Sequence, residues 1–208
     1  MTTIVGLLLA AGASSRMGQS KLALEWPGTS ETVGARCLRL LQSAVSVSLV
    51  VVRPEQPLSW MRPSLAPAGL DKERLRILPC ANAAEGLSAS LRMGVSAAGA
   101  MGADAVLVML ADQPFVTEEV LASLVRRYGD GSELDWVAAT DGEGPKPPIV
   151  LSKRLFEQVE TLRGDEGARR IVRQQSSLRG ELVLVDEACF FDIDTPEQWA
   201  EAKRRYIS

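Results

Sequence analysis

Residues 4–21 read Ile4-Val5-Gly6-Leu7-Leu8-Leu9-Ala10-Ala11-Gly12-Ala13-Ser14-Ser15-Arg16-Met17-Gly18-Gln19-Ser20-Lys21. Ile4 to Leu9 is apolar without alternation, which predicts a strand buried on both faces. It breaks into a small-residue loop, Ala10 to Ser20, that carries Arg16 and leads to Lys21. Small side chains let backbone amides approach a polyphosphate closely. Arg16 adds a planar fork of donors and Lys21 a point charge. The loop is neither a Walker A sequence nor a GxGxxG fingerprint. On these residues alone, an ordinary turn with two solvated cations is as good a reading.

Outward from this stretch, strands and helices alternate. Thr32 to Ala44 has helical apolar spacing, and Ser48 to Val52 is a Val-rich strand. Arg53 to Gly69 holds Pro54, Pro57, Pro63 and Pro67 and reads as loop. Leu75 to Leu78 predicts a strand, Leu87 to Ala100 a small-residue helix, and Ala105 to Leu110 a strong strand. Thr117 to Tyr128 is a helix opening on Glu118 and Glu119, where the helix dipole favours negative charge. Strands are expected at Asp135 to Ala139 and Ile149 to Leu151, flanking a loop at Asp141 to Pro148. Helices follow at Lys153 to Leu162 and Glu166 to Gln174, and strands at Glu181 to Val185 and Phe190 to Ile193. Thr195-Pro196-Glu197-Gln198 is a helix start. This order predicts an α/β fold with a mostly parallel central sheet flanked by helices, and ligands at the carboxyl ends of its strands.

The chain has 208 residues, which suits one domain, and a net charge of -3, which gives no basic stripe for nucleic acid or a membrane surface. The apolar start lacks the basic flank of a signal peptide. Cys37, Cys80 and Cys189 form no metal-type pair, so a reducing cytoplasm is expected. The histidine count is zero. That removes Ser-His-Asp and Cys-His triads and a histidine base. Catalysis must then use carboxylates, Lys, Arg, backbone amides or a hard metal.

Further segments sit at the expected strand ends. Asn82-Ala83-Ala84-Glu85-Gly86-Leu87-Ser88-Ala89-Ser90 offers an amide, two hydroxyls and a glycine for close approach, although Ser88 could equally cap the helix. Leu110-Ala111-Asp112-Gln113-Pro114 puts a carboxylate where it can reach a metal on phosphate oxygens, or simply form a turn. In Phe191-Asp192-Ile193-Asp194-Thr195, strand alternation would place both acids on one face. Asp192 is the candidate metal ligand, since Asp194 could help cap the last helix.

The string Leu9 to Lys21 resembles the signature of the MobA-like NTP transferases. That family includes the cytidylyl- and guanylyltransferases of the molybdenum cofactor and a methylerythritol-phosphate cytidylyltransferase. The likeness runs from Leu9 to about Glu197 and includes the family's LADQP, FDIDTPED and GDxGAR segments. It implies a single-domain, Rossmann-like (GT-A-like) nucleotidyltransferase over residues 1–208, with a nucleotide-binding half at 1–114 and an acceptor-side half at 115–208.

The resemblance assigns Leu9, Ala10, Ala11, Gly12, Ala13, Ser14, Arg16, Gly18, Lys21, Asn82, Gly86, Ser88 and Ser90 to the nucleotide. Arg16, Lys21 and Asp112 take the catalytic roles, and Asp112 and Asp192 the magnesium ion. Gly164, Asp165, Gly167 and Arg169 shape the acceptor side. The family usually has Gly-His-Pro ahead of that segment, and this chain has Gly144-Pro145-Lys146-Pro147-Pro148.

The implied substrates are CTP, or another NTP, and the molybdenum cofactor. A transient contact with the recipient molybdoenzyme or its chaperone is implied too. Ala11 stands where the guanylyl enzyme has glycine, and its methyl takes space a purine would need, so CTP is expected over GTP. Other phosphorylated acceptors (sugar, polyol or phospholactate) stay open, as does a nucleotide-binding module without turnover.

Overall fold

The computed structural model describes residues 2–14, 16–61, 74–131, 133–174 and 177–207. Ser15 and the 62–69 part of the proline-rich loop lie outside the described residues. The strands are β1 (Ile4–Leu9), β2 (Val47–Val52), β3 (Leu75–Pro79), β4 (Ala105–Leu110), β5 (Trp136–Thr140), β6 (Lys146–Ser152) and β7 (Gly180–Leu184). They form one sheet in the order β3-β2-β1-β4-β6-β5-β7. Only β6 runs against its neighbours. The helices are α1 (Val33–Ala44), α2 (Leu87–Ala100), α3 (Glu118–Asp130), α4 (Phe156–Val159), α5 (Ala168–Gln174) and α6 (Pro196–Ile207). No helix among the described residues is long and apolar enough to cross a membrane.

The unbroken apolar run of β1 reflects a sheet covered on both faces. Val5, Leu7 and Leu9 join one core with Leu91 and Val95 of α2. Leu8 points the other way, into a core with Leu38 and Leu41 of α1 and Leu121 and Leu124 of α3. Glycines let helices close on both sides. A Cβ at Gly6 would lie 2.7 Å from Val45 Cγ2, and one at Gly94 of α2 would lie 2.2 Å from Leu7 Cδ1. Helix starts follow the expected chemistry. Thr32 Oγ1 accepts from Ala35 N and Thr117 Oγ1 from Val120 N.

A third, smaller cluster buries Trp26, Val33, Ile193 and Ala202. Trp26 meets Phe115 edge-on at 5.3 Å and Tyr206 at 5.2 Å. It fixes α6 against the front of the sheet and pins Ile193 beneath the strand ends.

Three segments depart from the sequence expectation. Phe190 to Ile193 is not a strand. A 3-10 turn covers Glu187–Phe190, started by Asp186, whose carboxylate accepts from Ala188 N. Its apolar residues serve ring packing rather than a ladder: Phe191 sits edge-on to Phe115 at 5.9 Å. The helix expected over Lys153 to Leu162 is a 3-10 turn, Lys153–Leu155, followed by the short α4. β6 reaches back to Lys146 through Pro147 and Pro148. It can do so because its β4 pairing covers only Ile149 to Ser152, and its β5 register shifts at Ala138/Ala139, so the prolines stand where the ladder is already interrupted.

Gly94→Ala should destabilise the fold by about 1–3 kcal/mol, because the new methyl overpacks against buried Leu7. Urea unfolding monitored by circular dichroism reads this out, and an unchanged midpoint would show that α2 shifts freely over β1.

Candidate active site

The carboxyl ends of β1, β2 and β4 open onto a cavity of about 350 Å³. Leu9 to Ala13 form one wall, and Ala83, Gly86 and Ser90 another. Lys21, Arg53, Asp112 and Asp165 bring the charges.

Loop geometry follows from two left-handed residues. Ser14 has φ 49 and Gly18 φ 66. For serine this region costs about 1–2 kcal/mol. It is offset locally: the Ser14 carbonyl accepts from Met17 N at 3.0 Å, and Oγ accepts from Lys21 N at 3.3 Å. Gly12 differs from both. Among the described residues, a Cβ there would meet only Lys21 Cε, at 3.9 Å. Folding does not demand glycine at this position, and its bareness leaves the cavity wall open to close approach.

Lys21 is the electrostatic centre. Its side chain is only 9% exposed, and Nζ donates to Asp112 Oδ2 at 2.5 Å and Asp194 Oδ1 at 2.6 Å. Burial alone would lower its pKa, but the charges and hydrogen bonds of the two carboxylates outweigh burial and raise it. Arg16 is 70% exposed and reaches Asp194 Oδ2 at 3.0 Å. Burial pushes Asp194 up, yet Lys21 and Arg16 together hold it below the usual carboxylate range.

Asp192 is in a different state. Burial first, and then the Asp112 charge, push its pKa up to about 6. Its side-chain contact among the described residues is neutral, Gln113 Nε2 donating at 2.9 Å. The acids converge because the Ile193 N–H donates to the Asp112 carbonyl at 3.1 Å, which pins the Asp192–Asp194 segment to the end of β4. No strand forms here, so strand alternation does not place the two acids; the backbone bond of Ile193 does.

Asp112 and Asp192 are hard oxygen donors that repel one another, and Gln113 Oε1 is buried beside them without a partner among the described residues. Among those residues no group of three or more His, Cys, Asp or Glu forms a closed cage. Asp112 lines the cavity and Asp192 lies close enough to feel its charge, though outside the lining. Such a pair of hard oxygen donors fits a magnesium-type ion, which is commonly bound by one or two carboxylates together with substrate phosphates.

The remaining candidates divide. Ser90 lines the cavity. Ser88 is fully buried and its Oγ accepts from Arg92 Nη1 at 3.3 Å, so its hydroxyl serves the helix. Asn82 is exposed at the head of a 3-10 turn and is not itself a lining residue, although the next two residues, Ala83 and Ala84, are. Asp165, expected on the acceptor side, lines the same cavity as Ala11.

Gly164 accepts from Ser88 N at 3.0 Å, and a Cβ on Gly86 (φ 110) would lie 2.5 Å from the Gly164 backbone. Gly167 packs on Leu87, 3.0 Å from the position of its own missing Cβ, and Arg169 is exposed. Sequence reasoning missed Gln113, the amide that holds Asp192, and Arg53. The signal for Arg53 was a lone cation directly after the Val-rich strand β2.

Residues 6–178 match the family described as the MobA-like NTP transferase domain. The chain is 36% identical over 205 residues to purine catabolism protein PucB of Bacillus subtilis, covering 97% of this chain and 96% of that protein. It is 29% identical over 185 residues to a probable molybdenum cofactor guanylyltransferase of Mycobacterium tuberculosis, covering 88% and 85%. The fold is shared with 4-diphosphocytidyl-2C-methyl-D-erythritol synthase of Anaerococcus prevotii, with a TM-score of 0.77, 14% identity, and coverage of 100% and 97%. The chain belongs to the MobA-like NTP transferase family and is a nucleotidyltransferase.

Asp192→Asn should stabilise the metal-free protein at pH 7, by up to about 2 kcal/mol after allowance for solvent screening. The sign follows from the raised pKa. The folded state holds the Asp192 proton longer than the unfolded chain, so ionisation opposes folding as pH climbs from about 4 to 6. Melting curves in chelator should therefore converge for the two proteins below about pH 4 and separate above pH 6. Parallel curves at every pH would mean that neither burial nor the Asp112 charge raises the Asp192 pKa.

Proposed function

We propose that this member of the MobA-like NTP transferase family moves CMP from CTP to the terminal phosphate of the molybdenum cofactor and releases pyrophosphate. The observation that carries the reading is the cluster at the β4 end, where Lys21, Asp112, Asp192 and Asp194 meet beside a cavity walled by Ala11 and Gly12. The acceptor is supported by the mycobacterial relative named as a molybdenum cofactor guanylyltransferase. The base is supported by Ala11, 6% exposed, whose methyl narrows the wall where a guanylyl enzyme would have glycine.

Lys21 and Arg16, with the loop amides, hold the triphosphate and offset the charge that builds on departing pyrophosphate. Asp194 keeps both cations aimed at that place. Asp112 and Asp192 would hold magnesium, which would supply Lewis-acid neutralisation of phosphate charge. The acceptor phosphate is already ionised at neutral pH, so its oxygen attacks the α-phosphorus without a general base. Positioning then supplies the remaining acceleration. Residues 1–114 present the nucleotide, with Asp165 on the wall of the same cavity, and Gly164, Gly167 and Arg169 of the second half shape the acceptor side.

Purified protein with magnesium, molybdenum cofactor and either CTP or GTP tests the reading. The expected result is CMP transfer, with kcat/KM for CTP above that for GTP by about 10–200-fold. Ala11→Gly should narrow that gap without abolishing turnover. A wild-type preference for GTP would remove the cytidylyl assignment.

Asp112→Asn should keep its melting temperature within a few degrees and lose two or more orders of magnitude in kcat, because the site loses a charged donor while the turn survives. Wild-type turnover in that variant would take Asp112 out of the reaction.

A further inference from the structure

We infer that Arg53 reads the base of the nucleotide, and that it selects cytosine over uracil, which the Ala11 methyl cannot do. The inference rests on the proposed placement of the base against Ala11.

The sheet register puts Arg53 there. Leu9 of β1 is paired with Val51 of β2 on one side and Leu110 of β4 on the other. Two residues further on, the chains bring Arg53 to one flank of Ala11 and Asp112 to the other. Neighbouring strands are ~4.8 Å apart, so the two flanks stand roughly 10 Å from each other. Asp112 and Lys21 mark the phosphate end. A nucleotide lying across Ala11 therefore carries its base toward β2, where Arg53 lines the cavity.

The guanidinium is held in place. Its Nε donates to the Ala11 carbonyl at 2.8 Å. This leaves the Nη1/Nη2 edge, which has no hydrogen bond among the described residues. The nearest carboxylate, Glu55, is 4.0 Å from Nη1 and 73% exposed. That edge presents two parallel N–H donors and no acceptor. Cytosine offers two adjacent acceptors, N3 and O2, that match the fork. Uracil has the same size but carries N–H at position 3, which would face a donor with a donor. Steric exclusion by Ala11 separates purines from pyrimidines and cannot separate these two. Among purines the same rule favours guanine, with O6 beside N7, over adenine, whose N7 is flanked by an amino group.

The test is calorimetric binding of CTP, UTP, GTP and ATP at fixed magnesium, without acceptor, for wild type, Arg53→Lys and Arg53→Gln. Wild type should bind CTP at least about 100-fold more tightly than UTP. Arg53→Lys keeps the charge and can still reach the Ala11 carbonyl, yet it lacks the fork, so the ratio should fall below about 10-fold. Arg53→Gln should behave alike, and if it melts early, Arg53→Lys carries the test. A CTP/UTP ratio unchanged in both variants, equal weakening of all four nucleotides, or wild type that binds CTP and UTP alike would each overturn the inference. If GTP binds best, the cytidylyl reading fails separately, and the role of Arg53 is decided by whether the GTP/ATP ratio collapses in the same variants.

Discussion

The site depends on one buried ammonium group. Lys21 lies between Asp112, at the end of a strand, and Asp194, ahead of the last helix. Without it, carboxylates from distant parts of the chain would face each other in a poorly hydrated place, and like charges at short range are costly there. With it, they stay together at neutral pH. Asp192 shows what happens to an acid in the same place that no cation contacts directly: its pKa climbs. The two acids on either side of Ile193 thus differ in their contacts: Asp194 meets Lys21 and Arg16, while Asp192 meets a neutral amide. The sequence preferred Asp192 as the metal ligand on another ground, the possible capping of the last helix by Asp194.

The ammonium could not do this alone. Ile193 is fully buried in the aromatic cluster around Trp26, a contribution of about 1.5–3 kcal/mol for such a side chain. Its backbone N–H is spent on the Asp112 carbonyl. One apolar residue thus fixes the position of the acids on either side of it, and cluster and site stand or fall together.

Much of this was legible in the sequence, for physical reasons. β1, β4 and α2 match the expected residues because both-face burial and helical spacing leave long, unambiguous patterns. The Leu9 to Lys21 loop and Asp112 stood out as candidates because chemistry at strand ends uses few residue types, and Leu9 to Ala13, Lys21 and Asp112 line the cavity. The Phe190 to Ile193 segment was misread because apolar residues that pack on rings leave the same pattern as a strand. Ser88 was assigned to the nucleotide, yet it is buried against Arg92. A hydroxyl on the first turn of a helix carries no mark of the direction it faces. Arg53 and Gln113 were missed because their partners, a carbonyl and a carboxylate, lie 42 and 79 residues away.

The contact between Gly86 and Gly164 has a consequence for how such a protein can change over generations. A surface loop usually drifts, because its side chains can be exchanged one at a time while the backbone gives a little. Here two main chains touch with nothing between them. No rotamer is available to absorb a change, and every single replacement at residue 86 adds an atom where the other chain already is. The block is one-sided, since a Cβ on residue 164 would meet open space there. Residue 86 can therefore drift only after a stretch nearly eighty residues away has moved, and this part of the cavity rim resists change as the core beneath it does.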